Sequence, residues 1–257
     1  MSPGVSELAR VASPSIDWTT PPLIPLPRIP FSNPPILPIT AIIPTMPSRQ
    51  LLSTLITSLS NTRWTLTRTL RSENPLDLNG ELRGTATFTA QPPTTTTDRD
   101  WLYCEEGEIP SNVGTGALPP GLRWTKKYIW RQDSDSGRVS VWFVKVAPGP
   151  EEADYLFHDF DFDSGSDMLL GSESGSAQKD PGEFVAPPVP PAVSTSGNET
   201  TVLNARGNHL CINDMYRTAY AFRIEPDTGE VLSWASRHVV RGPKKGQDIV
   251  NRYEKEA

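Results

Sequence analysis

Apolar and polar positions alternate along most of the chain after residue 60. In the run 64–70 (WTLTRTL), Trp64, Leu66 and Leu70 have one parity and threonines have the other. Alternation with a period of two is typical of a strand that buries one face and exposes the other. Similar runs recur as far as residue 253. The predicted strands are 64–70, 82–88, 101–107, 122–131, 138–145, 155–162, 209–224 with a turn or bulge near Asn213, 232–240 and 248–253.

About nine or ten sequential strands joined mostly by short turns predict a mainly β protein, an antiparallel up-and-down β-barrel. One short N-terminal helix precedes the strands. Ser48 is suited to cap it, and the helix is expected to end near Ser60. In a barrel such a helix would close one end. Its apolar positions recur at helical spacing and are Leu51, Leu52, Leu55, Ile56 and Leu59.

Two segments lack any periodicity. Residues 1–47 are crowded with proline, as in 21–30 (PPLIPLPRIP), and proline supplies no backbone donor for a helix or a sheet. Residues from about 164 to 205 are rich in Ser, Gly, Pro and acids. We expect a disordered proline-rich arm at 1–47, with a possible protein partner, and a barrel domain at 48–257 that carries a disordered insertion at 164–205.

Composition narrows the function classes. The 257 residues carry a formal net charge of −6, which gives no electrostatic reason to expect binding to nucleic acid. No apolar run approaches the roughly 20 residues that a membrane span needs, and the N-terminus lacks the features of a secretory signal. We therefore expect a cytoplasmic protein without membrane contact. Cys104 and Cys211, the only cysteines, are expected to stay free.

Arg68 shares its parity with the apolar residues of the first strand. A buried guanidinium needs acceptors or an anion to offset its desolvation. Glu105 shares its parity with Trp101 and Tyr103, so Arg68 and Glu105 are predicted partners if that aromatic face points inward; the opposite facing remains open.

These polar positions suggest a site inside the barrel. A barrel of this size encloses about one small ligand, so a mostly apolar compound with a carboxylate or carbonyl facing Arg68 is the expected ligand. The alternative is a filled core in which the polar groups satisfy one another. Lys244 and Lys245 on the rim are a weaker candidate for an anion. The predicted ligand-binding residues are Arg68, Tyr103, Glu105, Tyr128, Trp130, His158, His209, Asp214, Tyr216, Trp234 and His238.

Other chemistry at these positions is less favoured. Three histidines could hold a metal, but only His209 and Cys211 have the i, i+2 spacing common in barrel metal sites, so we expect no metal and no cofactor. Cys211 beside His209 could also be a nucleophile with its base. A small acid/base enzyme of isomerase or hydrolase type, using Glu105, Asp214 or a histidine, is the main alternative to a binding protein. Catalytic residues remain unassigned.

Several motifs resemble the domain-of-unknown-function family 6314, which occurs in fungi and bacteria. The resemblance extends from Leu51 to Tyr253 apart from the predicted insertion. It implies a lipocalin-like barrel and implies no reaction. The motifs that carry it are Trp64 with Arg68, 103–107 (YCEEG), 128–131 (YIWR), Phe157-His158, 209–216 (HLCINDMY) and 242–245 (GPKK), of which the last two are the most specific.

Overall fold

A computed structural model describes residues 47–92, 98–110, 121–162, 184–193, 199–243 and 245–256. Within this part of the chain there is one helix, and the remaining regular structure is β. The elements are α1 (Arg49–Ser60), β1 (Trp64–Ser72), β2 (Gly80–Gln91), β3 (Asp98–Glu108), β4 (Arg123–Asp133), β5 (Val139–Val144), β6 (Ala153–Asp159), β7 (Asp161–Phe162), β8 (Thr201–Cys211), β9 (Asp214–Ile224), β10 (Val231–Gly242) and β11 (Lys245–Lys255).

The strands form a single antiparallel sheet in the order β6-β5-β4-β3-β2-β1-β11-β10-β9-β8-β7. The pairing of β1 with β11 brings the first and last strands together. Only Phe160 separates β6 from β7, the strands at the two ends of this order, so the sheet curls into a nearly closed barrel. The predicted up-and-down, lipocalin-like β-barrel is confirmed.

Helix α1 closes one end of the barrel, as its apolar spacing predicted. Ser48 Oγ accepts a hydrogen bond from Leu51 N and caps the first turn. Leu52, Leu55, Ile56 and Leu59 are buried against the barrel core. Trp64 Nε1 donates to Leu59 O at 3.0 Å, which ties the end of the helix to the start of β1. Helix α1, the one helix in the described residues, is not long and apolar enough to cross a membrane.

Strand β6 departs from the simple alternation of inward and outward residues. Its pairing with β5 shifts register between Val141 and Trp142. A bulge of this kind places two consecutive residues on one face, and Phe157 and His158 are both buried. Leu156, which has the same parity as His158, is 36% exposed.

Part of the predicted insertion is ordered on the barrel. The strand predicted to begin at His209 begins at Thr201, because residues 201–208 pair with β9 in continuous register. Residues 184–193 have no regular secondary structure but are placed against the outer wall by hydrogen bonds to Arg223 and Ser233. The rest of the predicted insertion, 164–183 and 194–198, and nearly all of the predicted arm, 1–46, lie outside the described residues.

Candidate functional site

The centre of the barrel holds an ion pair between Arg68 of β1 and Glu105 of β3. Arg68 Nη2 donates to Glu105 Oε2 at 2.5 Å, and the two side chains are 8% and 2% exposed. Both residues lie on the inner face of their strands, which is one of the two facings that the sequence left open for Glu105. The aromatic face of β3 therefore points inward.

Two tyrosines complete the coordination of the carboxylate. Tyr103 OH donates to Glu105 Oε1 at 2.5 Å, and Tyr253 OH donates to the same oxygen at 2.9 Å. The two hydroxyl oxygens lie 2.8 Å apart. Three donors thus surround one buried carboxylate, which offsets the cost of removing it from water.

The network continues from Arg68 toward β10. Arg68 Nε donates to Asn251 Oδ1 at 2.7 Å, and Asn251 Nδ2 donates to Ser236 Oγ at 2.8 Å. The Ser236 hydroxyl lies 3.1 Å from His238 Nε2. One chain of polar groups therefore links three neighbouring strands, β1, β11 and β10, across the seam where the first and last strands meet.

Burial and charge set the protonation states of this network. Burial by itself would raise the pKa of Glu105, but the charge of Arg68 holds that pKa below its ordinary value. Burial raises the pKa of Tyr103 and of Tyr253 well above the ordinary value. Burial, and next the positive charge of Lys126, lowers the pKa of His238 well below its ordinary value. The site at neutral pH therefore combines a carboxylate, two neutral phenols and a neutral imidazole.

A small cavity lies beside this network. Its volume of about 10 Å³ is about the room that one water needs. Most of the interior is filled: the space left by the small residues Gly84 and Gly107, for example, is occupied by the Trp124 ring. The cavity is lined by Tyr103, Glu105, Lys126, Tyr128, Trp130, Val141, Phe157, Tyr220, Trp234, Ser236, His238 and Tyr253.

Two buried indole nitrogens in the barrel have no hydrogen-bond acceptor among the described residues. They are Trp234 Nε1, whose ring lines the cavity, and Trp124 Nε1. Buried polar groups in proteins are nearly always paired, so each such donor calls for an acceptor such as a water or a ligand. The ammonium of Lys126 lies 5.0 Å from the centre of the Tyr128 ring and adds a positive charge at the same cavity. The cavity thus has one unpaired donor, Trp234 Nε1, and one positive charge, Lys126, on its lining.

Three of the predicted site residues lie nearer the end of the barrel opposite α1. Lys245 Nζ is 2.9 Å from Asp214 Oδ2 and donates to Tyr216 OH at 3.0 Å. The His209 ring is half-buried and packs 5.4 Å from the Phe157 ring, between centroids. Asp214 is therefore engaged in a rim ion pair and does not line the central cavity. Lys244 lies outside the described residues.

His158 occupies a separate position in the core. Its Nε2 lies 3.0 Å from Tyr220 OH, and its Nδ1 lies 3.2 Å from the backbone oxygen of Asp159. Burial lowers the pKa of His158 to about 4, so the imidazole is neutral near pH 7. The side chain has hydrogen-bond partners on both sides, as a structural core histidine has.

The metal and thiol hypotheses gain no geometric support in the described part of the chain. No three His, Cys, Asp or Glu side chains come together there in a way that would hold a metal ion. Cys104 and Cys211 are both free and half-buried. The His209 ring packs among the rings of Phe143, Phe157 and Tyr216.

The sequence interpretation identified Arg68, Glu105 and Tyr103 but missed three residues of the same network. Tyr253, Asn251 and Ser236 contact the pair only because β11 joins β1 and β10. Parity alone would have placed Tyr253 and Asn251 on one face. It could not have placed that face beside Arg68, because strand order is not written in the alternation.

A family model described as a family of unknown function (DUF6314) matches residues 61–179 and 192–255. The match covers most of the barrel and passes over residues 180–191. No curated protein matches the chain.

Proposed function

The chain belongs to the family of unknown function DUF6314, and we propose that its barrel binds a small, mostly apolar molecule that carries an anionic or carbonyl group. The observation that carries the proposal is an unpaired donor beside a positive charge at the cavity. Trp234 Nε1 is buried without an acceptor in the described residues, and Lys126 brings a positive charge to the same cavity. A ligand with acceptor atoms would accept hydrogen bonds from these groups.

We assign the anionic group to Lys126 rather than to Arg68. The guanidinium of Arg68 already donates to Glu105 and to Asn251, so its charge is compensated within the network. Lys126 is half-buried, and its ammonium lies over the Tyr128 ring. An anion bound beside Lys126 would gain a charge-assisted hydrogen bond in a partly desolvated setting.

The ligand would enter from the end of the barrel opposite α1. The cavity of about 10 Å³ is far smaller than the roughly 300 Å³ or more of an ordinary ligand pocket, so side chains must move on binding. Tyr128 and Phe143 are half-buried, and with Phe157 they form an aromatic cluster whose ring centroids lie 4.9–5.7 Å apart. Displacement of this cluster would open an aromatic-walled site above the Arg68–Glu105 pair.

The test uses an apolar anion and two adjacent lysines. The full chain is titrated with 1-anilinonaphthalene-8-sulfonate, and the dissociation constant is measured by fluorescence for wild type, Lys126→Met and Lys127→Met. Lys127 faces outward and pairs with Glu151, so its substitution is the matched control. We expect Lys126→Met to weaken binding about tenfold, the loss of about 1.4 kcal/mol, and Lys127→Met to leave it unchanged. Equal affinity in all three proteins would contradict the proposal.

A second candidate, an acid/base enzyme that uses the same cavity, is favoured by His238. Its imidazole lines the cavity, lies beside the Ser236 hydroxyl and is neutral at pH 7, so one ring nitrogen keeps a lone pair for a bound compound. Compounds that co-purify with the protein can be identified by mass spectrometry and then incubated with fresh protein. Conversion that is lost in His238→Gln would favour the enzyme, whereas binding without conversion would favour the carrier.

A further inference from the structure

The outer wall of the barrel holds a proline-rich segment in place. Arg223 Nε donates to Pro191 O at 3.0 Å, and Arg223 Nη2 donates to Pro190 O at 3.4 Å. Ser233 Oγ donates to the same Pro191 oxygen at 2.6 Å. Farther along the segment, the guanidinium carbon of Arg206 lies 5.4 Å from the centre of the Phe184 ring.

The wall beneath is built from small outward-facing residues. Alternation points Ala221 of β9 and Ser233 and Ala235 of β10 away from the core, yet their exposures are 1%, 0% and 0%. Outward residues of a barrel are normally solvated. Small side chains allow another backbone to come close, and Arg223 lies directly across from Ser233 in the sheet. The patch therefore has a flat floor and strong donors at its edge.

This chemistry suits proline. Proline lacks a backbone N–H, so a proline-rich segment offers carbonyl acceptors and ring surface and has few donors of its own. It is also partly pre-ordered, which lowers the entropy lost on binding. In the docked segment Pro190 is buried and Pro187, Pro188 and Pro191 are half-buried, whereas Val189 is 76% exposed.

The docked residues lie outside the part of the chain that the family model matches. The match omits 180–191, which includes the whole of 187–191 (PPVPP). The barrel pattern of the family is therefore complete without the docked prolines. The segment is an addition that this chain places on a wall formed by family-matched strands.

The five-residue pattern of the docked segment occurs three times in the sequence. It reads Pro-Pro-aliphatic-apolar-Pro at 187–191 (PPVPP), 21–25 (PPLIP) and 34–38 (PPILP). The third position is exposed in the docked copy, and the fourth position, which is buried there, is Pro, Ile or Leu in the three copies. The two other copies thus keep the apolar character of the position that the wall buries.

We propose that the outer wall around Arg223, Ser233 and Ala235 is a recognition site for Pro-Pro-aliphatic-apolar-Pro segments. Residues 187–191 occupy this site within the chain. They compete there with residues 21–25 or 34–38 of a second copy of the chain. A tethered segment has an effective concentration in the millimolar range, so the internal copy is expected to hold the site until it is removed or displaced. This surface is independent of the barrel interior and of the proposed ligand.

The first experiment leaves the docked segment intact. Limited proteolysis by elastase after Val185, Ala192 and Val193 is measured in wild type, Arg223→Ala and Arg123→Ala. Arg123 is exposed on β4, pairs with Glu106 and serves as the control. We expect faster cleavage at these positions in Arg223→Ala alone. Unchanged cleavage in Arg223→Ala would overturn the assignment of Arg223 as the residue that holds the segment.

The second experiment opens the wall in the full chain. Residues 187–191 are replaced by a Gly/Ser segment of equal length, and binding of a fluorescein-labelled peptide of residues 19–27 is measured by anisotropy. We expect at least about tenfold tighter binding than to wild type, since residues 187–191 no longer occupy the site. The gain should disappear when Arg223→Ala is added and when the peptide prolines are replaced by alanine.

Three outcomes overturn the proposal. One is that the Gly/Ser variant is folded, as its thermal midpoint shows, but does not bind the peptide. Another is binding that survives Arg223→Ala or proline replacement in the peptide. The last is an opened protein that binds the peptide but stays monomeric in sedimentation at high concentration, which would exclude the second copy and leave the chain's own residues 21–38 or another proline-rich partner as the occupant.

Discussion

The Arg68 guanidinium and the Glu105 carboxylate meet across β2, which separates their strands in the sheet. The Nη2–Oε2 distance is 2.5 Å, and both groups are almost completely buried. A pair of this kind stabilises the fold only while both members are present, because removal of one leaves an uncompensated charge away from water.

Arg68→Met and Glu105→Gln are each expected to lower the free energy of unfolding by about 3–5 kcal/mol. The double variant is expected to lose less than the sum of the two, since it leaves no unpaired charge. Urea denaturation of the four proteins measures these differences. Glu81→Gln, which breaks an exposed pair with Arg83, is the control and should change stability little. Additive losses in the double variant would show that the two groups do not act as a pair.

The ion pair could be predicted from the sequence for one of the two possible facings of β3, because β1, β2 and β3 are consecutive along the chain and neighbours in the sheet. Arg68 and Glu105 each stand among apolar residues of an alternating run, and a buried charge requires a partner. Tyr253 and Asn251 could not be predicted as members of the network. Their contacts depend on the pairing of the first strand, β1, with the last strand, β11. No local sequence pattern encodes that pairing.

Part of the predicted insertion makes contacts that its composition did not indicate. Residues 184–193 are rich in proline and have no period, which is typical of disorder, yet Pro190 and Pro191 are hydrogen-bonded to the wall. The stabilising donors come from Arg223 and Ser233, which alternation could only mark as outward-facing. In β6 the period itself fails, because a bulge turns Phe157 inward beside His158.

The free energy of unfolding is expected to fall as the pH is lowered below neutrality, and His158 contributes to this loss. Burial lowers the pKa of His158 to about 4 in the folded protein, from an ordinary value of 6.5, so protonation favours the unfolded state. The contribution of neutral His158 is fully present above about pH 6.5 and is lost as the pH falls through about 4. The expected loss from this residue is about 2 kcal/mol between pH 7.5 and pH 5.

His158→Gln should flatten this pH dependence. Glutamine does not titrate and keeps the capacity to hydrogen-bond with Tyr220. Urea denaturation of wild type and variant at pH 7.5 and pH 5 measures the difference. Residual pH dependence is expected from Glu105 and His238, whose lowered pKa values act in the same direction. An identical slope in both proteins would show that His158 is not the neutral buried group described here.

Gly207→Ala is expected to destabilise the closure of the barrel. A Cβ at Gly207 of β8 would lie 2.3 Å from His158 Nδ1 and 2.9 Å from the backbone oxygen of Asp159, so β8 would have to move away from β6. We expect a loss of about 1–3 kcal/mol, the usual cost of an added methyl group in a packed site. Thermal unfolding measures it, with Thr201→Ala at an exposed position of β8 as the control. A variant as stable as wild type would mean that the two strands separate more easily than their packing indicates.

Ile212→Asn is expected to raise stability. Ile212 lies at the tip of the β8–β9 hairpin with φ of 56° and is 88% exposed. A β-branched residue in the left-handed region is strained by about 1–2 kcal/mol, whereas asparagine tolerates this conformation. The exposed isoleucine gains little from packing, so its replacement should stabilise the protein by about 0.5–1 kcal/mol in urea denaturation. Leu210→Asn removes a similar exposed apolar side chain at a strand position without positive φ, and no gain is expected there. If both variants behave alike, the backbone at Ile212 is not strained, and the free energy of the hairpin is set by its exposed apolar surface instead.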